Sequence, residues 1–215
     1  MLEGFHLRVS QIVLRAIEPY GFALGGGYAL QAHGIIDRPS KDIDSYAPHT
    51  DEKLFNDAEV AVREALEVEG LSVIPGYSDS WFRALQVFDP AGEEAVVVDL
   101  GYDYRENEPV VIADLGPVLD IQDLITGKVR ALFDRMAARD YIDIDAILRT
   151  GRWSPSDLLE ALQHIRPEVT SEVLREILRS ADTVDTEDYE GYHLSKEDSE
   201  QLVERLNAAA AELIS

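Results

Sequence analysis

The sequence predicts an α+β fold: an α/β-type mixed sheet in the N-terminal half, followed by a helical C-terminal half. Three observations point there. Residues 94–101 (EAVVVDLG) form a nearly continuous β-branched run, as a buried strand requires. Shorter apolar runs at 22–24, 40–46, 72–74 and 81–89 are divided by Gly, Pro and Asp turn signals. After Pro109 the grammar changes, and 121–138, 140–149, 156–164, 167–181 and 196–213 all read as helices. The division falls near residue 115, giving domains 1–115 and 116–215.

Taken in order, residues 7–17 form an amphipathic helix with Leu7, Ile12, Val13, Leu14 and Ile17 apolar, ended by Glu18-Pro19-Tyr20-Gly21. A brief strand at 22–24 runs into Gly25, Gly26 and Gly27, then a short helix at 28–33 closes at Gly34. Residues 40–46 form a strand that holds Asp42 and Asp44 on one face and Ile43 on the other. A helix over 50–69 is capped by Thr50 or Asp51 and stopped by Gly70. In the second half, Ser154 is a cap with Pro155 at the first helical position.

Composition narrows the class. Of the 215 residues, 46% are hydrophobic and 28% charged, ordinary for a globular protein. Cysteine is absent, so disulfides and thiolate metal sites are excluded. Glu3, His6 and Arg8 interrupt the N-terminus where a signal peptide needs an apolar run, and no stretch is long enough to span a membrane. A cytoplasmic location without membrane partners is the expectation. The formal net charge of −23 argues against broad nucleic-acid binding, though not against a local basic cleft or a site whose field a metal inverts. Between Ala181 and Glu200 lie eight acidic residues and one lysine. That segment reads as a solvated or disordered loop, with a docking surface for a basic partner as the alternative.

The chemistry centres on Asp42 and Asp44. Two carboxylates two residues apart on a strand share a face, and hard cations such as Mg²⁺ bridge carboxylates of this kind to substrate phosphates. Asp-x-Asp alone is common, but three features reinforce it. The glycines at the preceding strand end let backbone approach a phosphate. Asp99 interrupts an apolar strand, where an unpaired charge costs several kcal/mol unless it serves a purpose. Arg38-Pro39-Ser40-Lys41 sets two cations and a hydroxyl just before the acids. No Walker A, Gly-x-Ser-x-Gly or His-Glu-x-x-His pattern occurs. His33 reads as a helix-end or core histidine, and Tyr77, Trp81 and Phe82 as packing residues, with base stacking as the alternative.

Gly26-Gly27-Tyr28-Ala29-Leu30, His33-Gly34 and Arg38-Pro39-Ser40-Lys41-Asp42-Ile43-Asp44 together resemble the first motif of the AbiEii/AbiGii-type nucleotidyltransferases, in the DNA polymerase β-like superfamily. The fourteen residues between Gly27 and Asp42 suit that branch. Downstream, residues 120–128 (DIQDLITGK), Ala131-Leu132, Arg135 and Arg139-Asp140-Tyr141-Ile142-Asp143 are similar to the family's helical block. The resemblance covers residues 22–148.

It implies a nucleotidyltransferase-like N-terminal domain with a helical C-terminal one, moving an NMP from an NTP to an acceptor with Mg²⁺ or Mn²⁺. Asp42, Asp44 and Asp99 would be the catalytic metal ligands, and Asp99 either the general base or the ligand that positions the nucleophile. Lys128 would join them in catalysis. Gly26, Gly27, Arg38, Ser40, Arg135 and Asp140 would bind the nucleotide. On one continuous helix Lys128, Arg135 and Arg139 fall within about 40° of one another, a cationic stripe for phosphates. Alternatively these are surface cations paired with Asp134, Asp140 and Asp143. Asp140 and Asp143 would either orient the arginines or contact the nucleotide.

The implied role is the toxin of a toxin–antitoxin or phage-defence pair, with an RNA such as tRNA as acceptor and a cognate antitoxin protein as partner. Transfer to an aminoglycoside-like small molecule or to a protein is the alternative acceptor reading. An inactive nucleotide- or partner-binding module is the alternative of another class, disfavoured by three retained, mutually repelling acids.

Overall fold

A computed structural model describes residues 2–213 and divides the chain into two compact units, one running to Asp123 and the other beginning at Leu124. The first unit is built on seven strands: β1 (Ala23–Leu24), β2 (Asp42–Ala47), β3 (Ser72–Asp79), β4 (Phe82–Phe88), β5 (Ala95–Tyr102), β6 (Val110–Ile112) and β7 (Gly116–Val118). They form one mixed sheet in the order β3-β4-β5-β2-β1-β7-β6. β2 and β5 run parallel, as do β1 and β7, and the remaining neighbours are antiparallel.

One face of this sheet is closed. Ile43, Ser45 and Ala47 of β2, Leu85 and Val87 of β4, and Val96, Val98 and Leu100 of β5 alternate into the core. Helix α1 (Gly4–Ile17) buries Phe5, Val9, Ile12, Val13, Leu14 and Ile17 and packs against β1, β2, β7 and helix α3. Helix α3 (Glu52–Val68) buries Phe55, Ala58, Val62 and Leu66 at helical spacing and packs on β3 and β4. Asp51 caps α3 through the backbone N–H groups of Lys53 and Leu54. Arg83, buried on the same face, donates to Asn56 at 2.6 Å and pairs with Glu59 at 3.1 Å. The opposite face carries Asp42, Asp44 and Asp99.

Two strands follow Pro109, in a stretch before Ile121 to which the sequence assigned no element. β6 and β7 are three residues each, too short for a periodic signal, and turn through Asp114 and Gly116 at positive φ. β7 lies beside β1, so the sheet continues past residue 115.

The second unit is helical, as expected. Helix α4 (Ile121–Arg135) begins in the first unit and continues into the second. It is followed by α5 (Ala138–Arg149), α6 (Pro155–Ile165), α7 (Ser171–Arg179), α8 (Thr186–Glu190) and α9 (Lys196–Glu212). α9 buries Leu202, Leu206, Ala209 and Ala210 and packs against α5, α6, α7 and α8. Arg205 of α9 grips Asp145 of α5 through two 2.7 Å hydrogen bonds.

The acidic segment is not the loop that its charge suggested. Residues 180–183 form a 3-10 turn, α8 follows, and Ser195 with Asp198 caps α9 reciprocally. Tyr189 is the reason. Its ring is buried, and its hydroxyl donates to the Ala181 carbonyl at 3.0 Å, so one aromatic anchor orders a polar stretch.

Candidate active site

Strand register brings the acids together. Asp44 of β2 lies directly beside Asp99 of β5, and Asp42 pairs with Val97 one step along the same face. Adjacent strands are about 4.8 Å apart, so the three carboxylates share one patch of open sheet. Burial, and then the charges of Asp44 and Asp42, push the Asp99 carboxyl up to about 6. Its Oδ1 is buried and has no hydrogen-bond partner in the protein. An orphaned carboxylate oxygen facing two more carboxylates is a donor set that a hard cation satisfies. Among the described residues, no three acidic or histidine side chains converge tightly enough to enclose an ion by themselves. The acids therefore fit a cation whose remaining ligands come from phosphate oxygens or water.

The glycine turn has a role that the sequence did not disclose. The Gly25 N–H donates to the Asp44 carbonyl at 2.8 Å, fastening the turn to β2. Gly26 sits at φ 62°, and a Cβ there would lie 1.8 Å from Asp44 Oδ2. It opens helix α2 (Gly26–Ala32) and makes room for the Asp44 carboxylate. A Cβ on Gly27 would lie 2.8 Å from Ser40 Oγ and 3.6 Å from an Arg38 guanidinium nitrogen, so Arg38 and Ser40 fold over the same turn.

Four residues that sequence reasoning passed over hold these in place. The Tyr28 hydroxyl donates to the Ser40 carbonyl at 2.7 Å and receives the ring N–H of His6, while Gln31 donates to the Arg38 carbonyl at 2.5 Å. Burial, then Asp42, pushes the Tyr28 hydroxyl up to about 12, so it stays a donor. Tyr46 reaches back to Asp44 Oδ1 at 3.5 Å. Its place two residues past Asp44 on one strand was the available signal. His33 is the helix-end histidine expected, hydrogen-bonded to the Leu119 carbonyl at 2.9 Å.

Lys128, Arg135 and Asp140 belong to the second unit. Lys128 is buried and pairs with Asp143 at 2.9 Å. Arg135 is held bidentately by Asp140 at 2.7 and 2.8 Å, so Asp140 orients an arginine. The continuous cationic stripe does not form. Met136 turns at φ 49° and Asp140 accepts the Ala137 N–H, which ends α4 and puts Arg139 on α5. The packing role expected of Tyr77 and Trp81 is also overturned, since they are 68% and 53% exposed.

Comparison with curated protein sequences finds no match. Solved structures of like fold include JHP933 from Helicobacter pylori, at 18% identity, TM-score 0.62, and coverage of 97% of this chain and 90% of that one. Another is MenT4, a nucleotidyltransferase toxin of Mycobacterium tuberculosis H37Rv, at 15% identity, TM-score 0.63, and coverage of 97% and 84%. At such identities these likenesses speak to the fold alone. The family described as "Nucleotidyl transferase AbiEii toxin, Type IV TA system" matches residues 12–212. With nearly the whole length matched, the chain belongs to the AbiEii family of nucleotidyltransferase toxins from type IV toxin–antitoxin systems.

Proposed function

We propose that this nucleotidyltransferase moves an NMP from an NTP to a hydroxyl of an RNA acceptor, tRNA among the candidates, in the cytoplasm and under the control of an antitoxin. The observation that carries the reading is the side-by-side register of Asp44 and Asp99 with Asp42 on the same open face. A divalent cation, Mg²⁺ or Mn²⁺, held by Asp42, Asp44 and Asp99 would neutralise these acids and stabilise charge on the α-phosphate and the leaving pyrophosphate.

In this scheme Gly26 and Gly27 let the phosphates come close to backbone, and Arg38 and Ser40 bind them from above the turn. The acceptor oxygen attacks the α-phosphorus and a new O–P bond forms. The bond from the α-phosphorus to the bridging oxygen breaks, and pyrophosphate departs. Asp99 accepts the hydroxyl proton or positions the nucleophile. In the second unit, Lys128 and Arg135 are the proposed phosphate contacts, oriented by Asp143 and Asp140. Most of the acceleration comes from positioning and charge stabilisation.

The test is incubation of purified protein with each α-labelled NTP, Mg²⁺ or Mn²⁺, and total cellular RNA. Label should enter a discrete RNA band and vanish with EDTA or with Asp44→Ala. Metal-dependent NTP turnover that survives Asp42→Ala combined with Asp44→Ala overturns the assignment. The net charge of −23 favours one further acceptor class, a cationic hydroxylated small molecule. Thin-layer analysis of the same reactions reveals that product.

A further inference from the structure

One row of the sheet face lies beyond the carboxylates. On β5, Gly101 stands two residues past Asp99, with Tyr46 beside it on β2 and Phe82 beside it on β4. A Cβ on Gly101 would lie 3.2 Å from the Tyr46 ring and 3.5 Å from the Phe82 ring, so both aromatics pack over the buried glycine. Phe82 in turn stands 6.1 Å, centroid to centroid, from the ring of Tyr77, at an interplanar angle of 40°. Tyr77 sits where β3 loses register with β4 between Pro75 and Ser78, and this irregularity leaves its ring beside Phe82 while most of it stays in solvent. The result is an aromatic row across four strands, one pleat repeat (about 7 Å) from the carboxylates.

We propose that Phe82 and Tyr77 form a stacking platform for the unpaired bases at the end of a single-stranded RNA acceptor. The proposal rests on the RNA-acceptor reading above and deepens it. Three arguments select this occupant. An aromatic face binds any nucleobase without sequence preference, because every base offers a π-face. The chain's −23 charge disfavours a grip on phosphates and leaves base stacking as the available contact. Position assigns the bases to the acceptor rather than to the NTP. The glycine turn lies on the β1 side of the carboxylates with the Tyr46 ring against Gly25, whereas Phe82 and Tyr77 lie toward the β3 edge. A donor whose phosphates lie at the glycines leaves the far side of the acids to the nucleophile, and an acceptor hydroxyl there has its base within reach of Phe82.

The experiment measures NMP transfer to an RNA with a single-stranded 3′ end, together with fluorescence anisotropy of a short labelled single-stranded oligoribonucleotide. Phe82→Ala and Tyr77→Ala should each raise the acceptor KM and weaken oligonucleotide binding by roughly 5- to 150-fold, the range for loss of one base–aromatic stack. The KM for NTP should not move. Phe82→Tyr and Tyr77→Phe should restore both, and wild-type binding should depend only weakly on salt and fail with a blunt duplex. Unchanged acceptor KM and oligonucleotide binding in both alanine variants overturns the platform, as does absence of oligonucleotide binding by the wild type. A change confined to the NTP KM also overturns it, because the row would then serve the donor base. If the wild type labels no RNA, the acceptor reading has failed on its own, and the anisotropy arm still decides whether these rings bind bases.

Discussion

A methyl group at position 26 would sit 1.8 Å from an oxygen of Asp44, and the backbone there is left-handed. Gly26→Ala therefore combines two effects. The conformation costs about 1–2 kcal/mol, and the carboxylate must move, which at about 1 Å of displacement is enough for roughly a 100-fold loss of rate. Gly34 is also left-handed, at φ 70°, but a methyl added there would meet nothing within 4 Å. Gly34→Ala should lose similar stability in denaturant titration and keep its activity, which isolates the effect on Asp44. Asp99→Asn should raise the Tm of the metal-free protein at neutral pH by relieving like-charge crowding, while removing transfer activity. His6, beneath the Ser40 loop, has its pKa lowered mainly by burial, against weaker upward contributions from Ala95, Glu94 and Asp42. A base with a lowered folded pKa stabilises the fold above its unfolded value of about 6.5 and loses that contribution as pH falls. Thermal melts across pH 7 to 5 should show wild type losing stability relative to His6→Gln. At this scale the three acids and the glycines were legible because their chemistry is local. Tyr46 and Phe82 were not, because which aromatics share a row with a carboxylate depends on strand register.

Between elements, the decisive contacts are ionic and buried. Lys128 of α4 and Asp143 of α5 are both inaccessible, so Lys128→Met takes an ion-pair partner from a buried carboxylate and should cost up to about 3–5 kcal/mol. Pairing it with Asp143→Leu should restore most of that stability in denaturant titrations. Transfer activity then separates two roles: if Lys128 also contacts phosphate, the refolded double variant remains inactive. Helix α6 carries a reciprocal box in which Ser154 Oγ accepts the Asp157 N–H at 3.2 Å and Asp157 accepts the Ser154 N–H at 2.7 Å. Ser154→Ala should cost about 1 kcal/mol by the same assay. This box was readable as Ser-Pro-Ser-Asp, and the amphipathic faces of α1 and α3 were readable from apolar spacing. The break at Met136 was not, because it depends on a side-chain clamp between Arg135 and Asp140 across the turn rather than on a glycine or proline. Helix α8 escaped for a similar reason, since its charge outweighs the single tyrosine that anchors it.

Over the whole molecule, the α+β class was legible because β-branched runs and 3.6-residue spacing are strong signals. β6 and β7 were not, because their pairing is dictated by the neighbours they meet. A charge of −23 opposes compaction, so added salt should raise the Tm measurably before specific ion effects intervene. The sheet order has a consequence in time as well as in space. β5 enters between β2 and β4, strands far from one another along the chain, and delivers the third carboxylate only when it does so. Contacts of such long sequence separation form late in folding. On a ribosome, a chain that stops before Ala95 already carries Asp42 and Asp44 on β2, with β1 on one side and nothing yet on the side where β5 brings Asp99. In the proposed scheme such a chain lacks the third carboxylate, so a protein truncated there should transfer no NMP in the labelling assay.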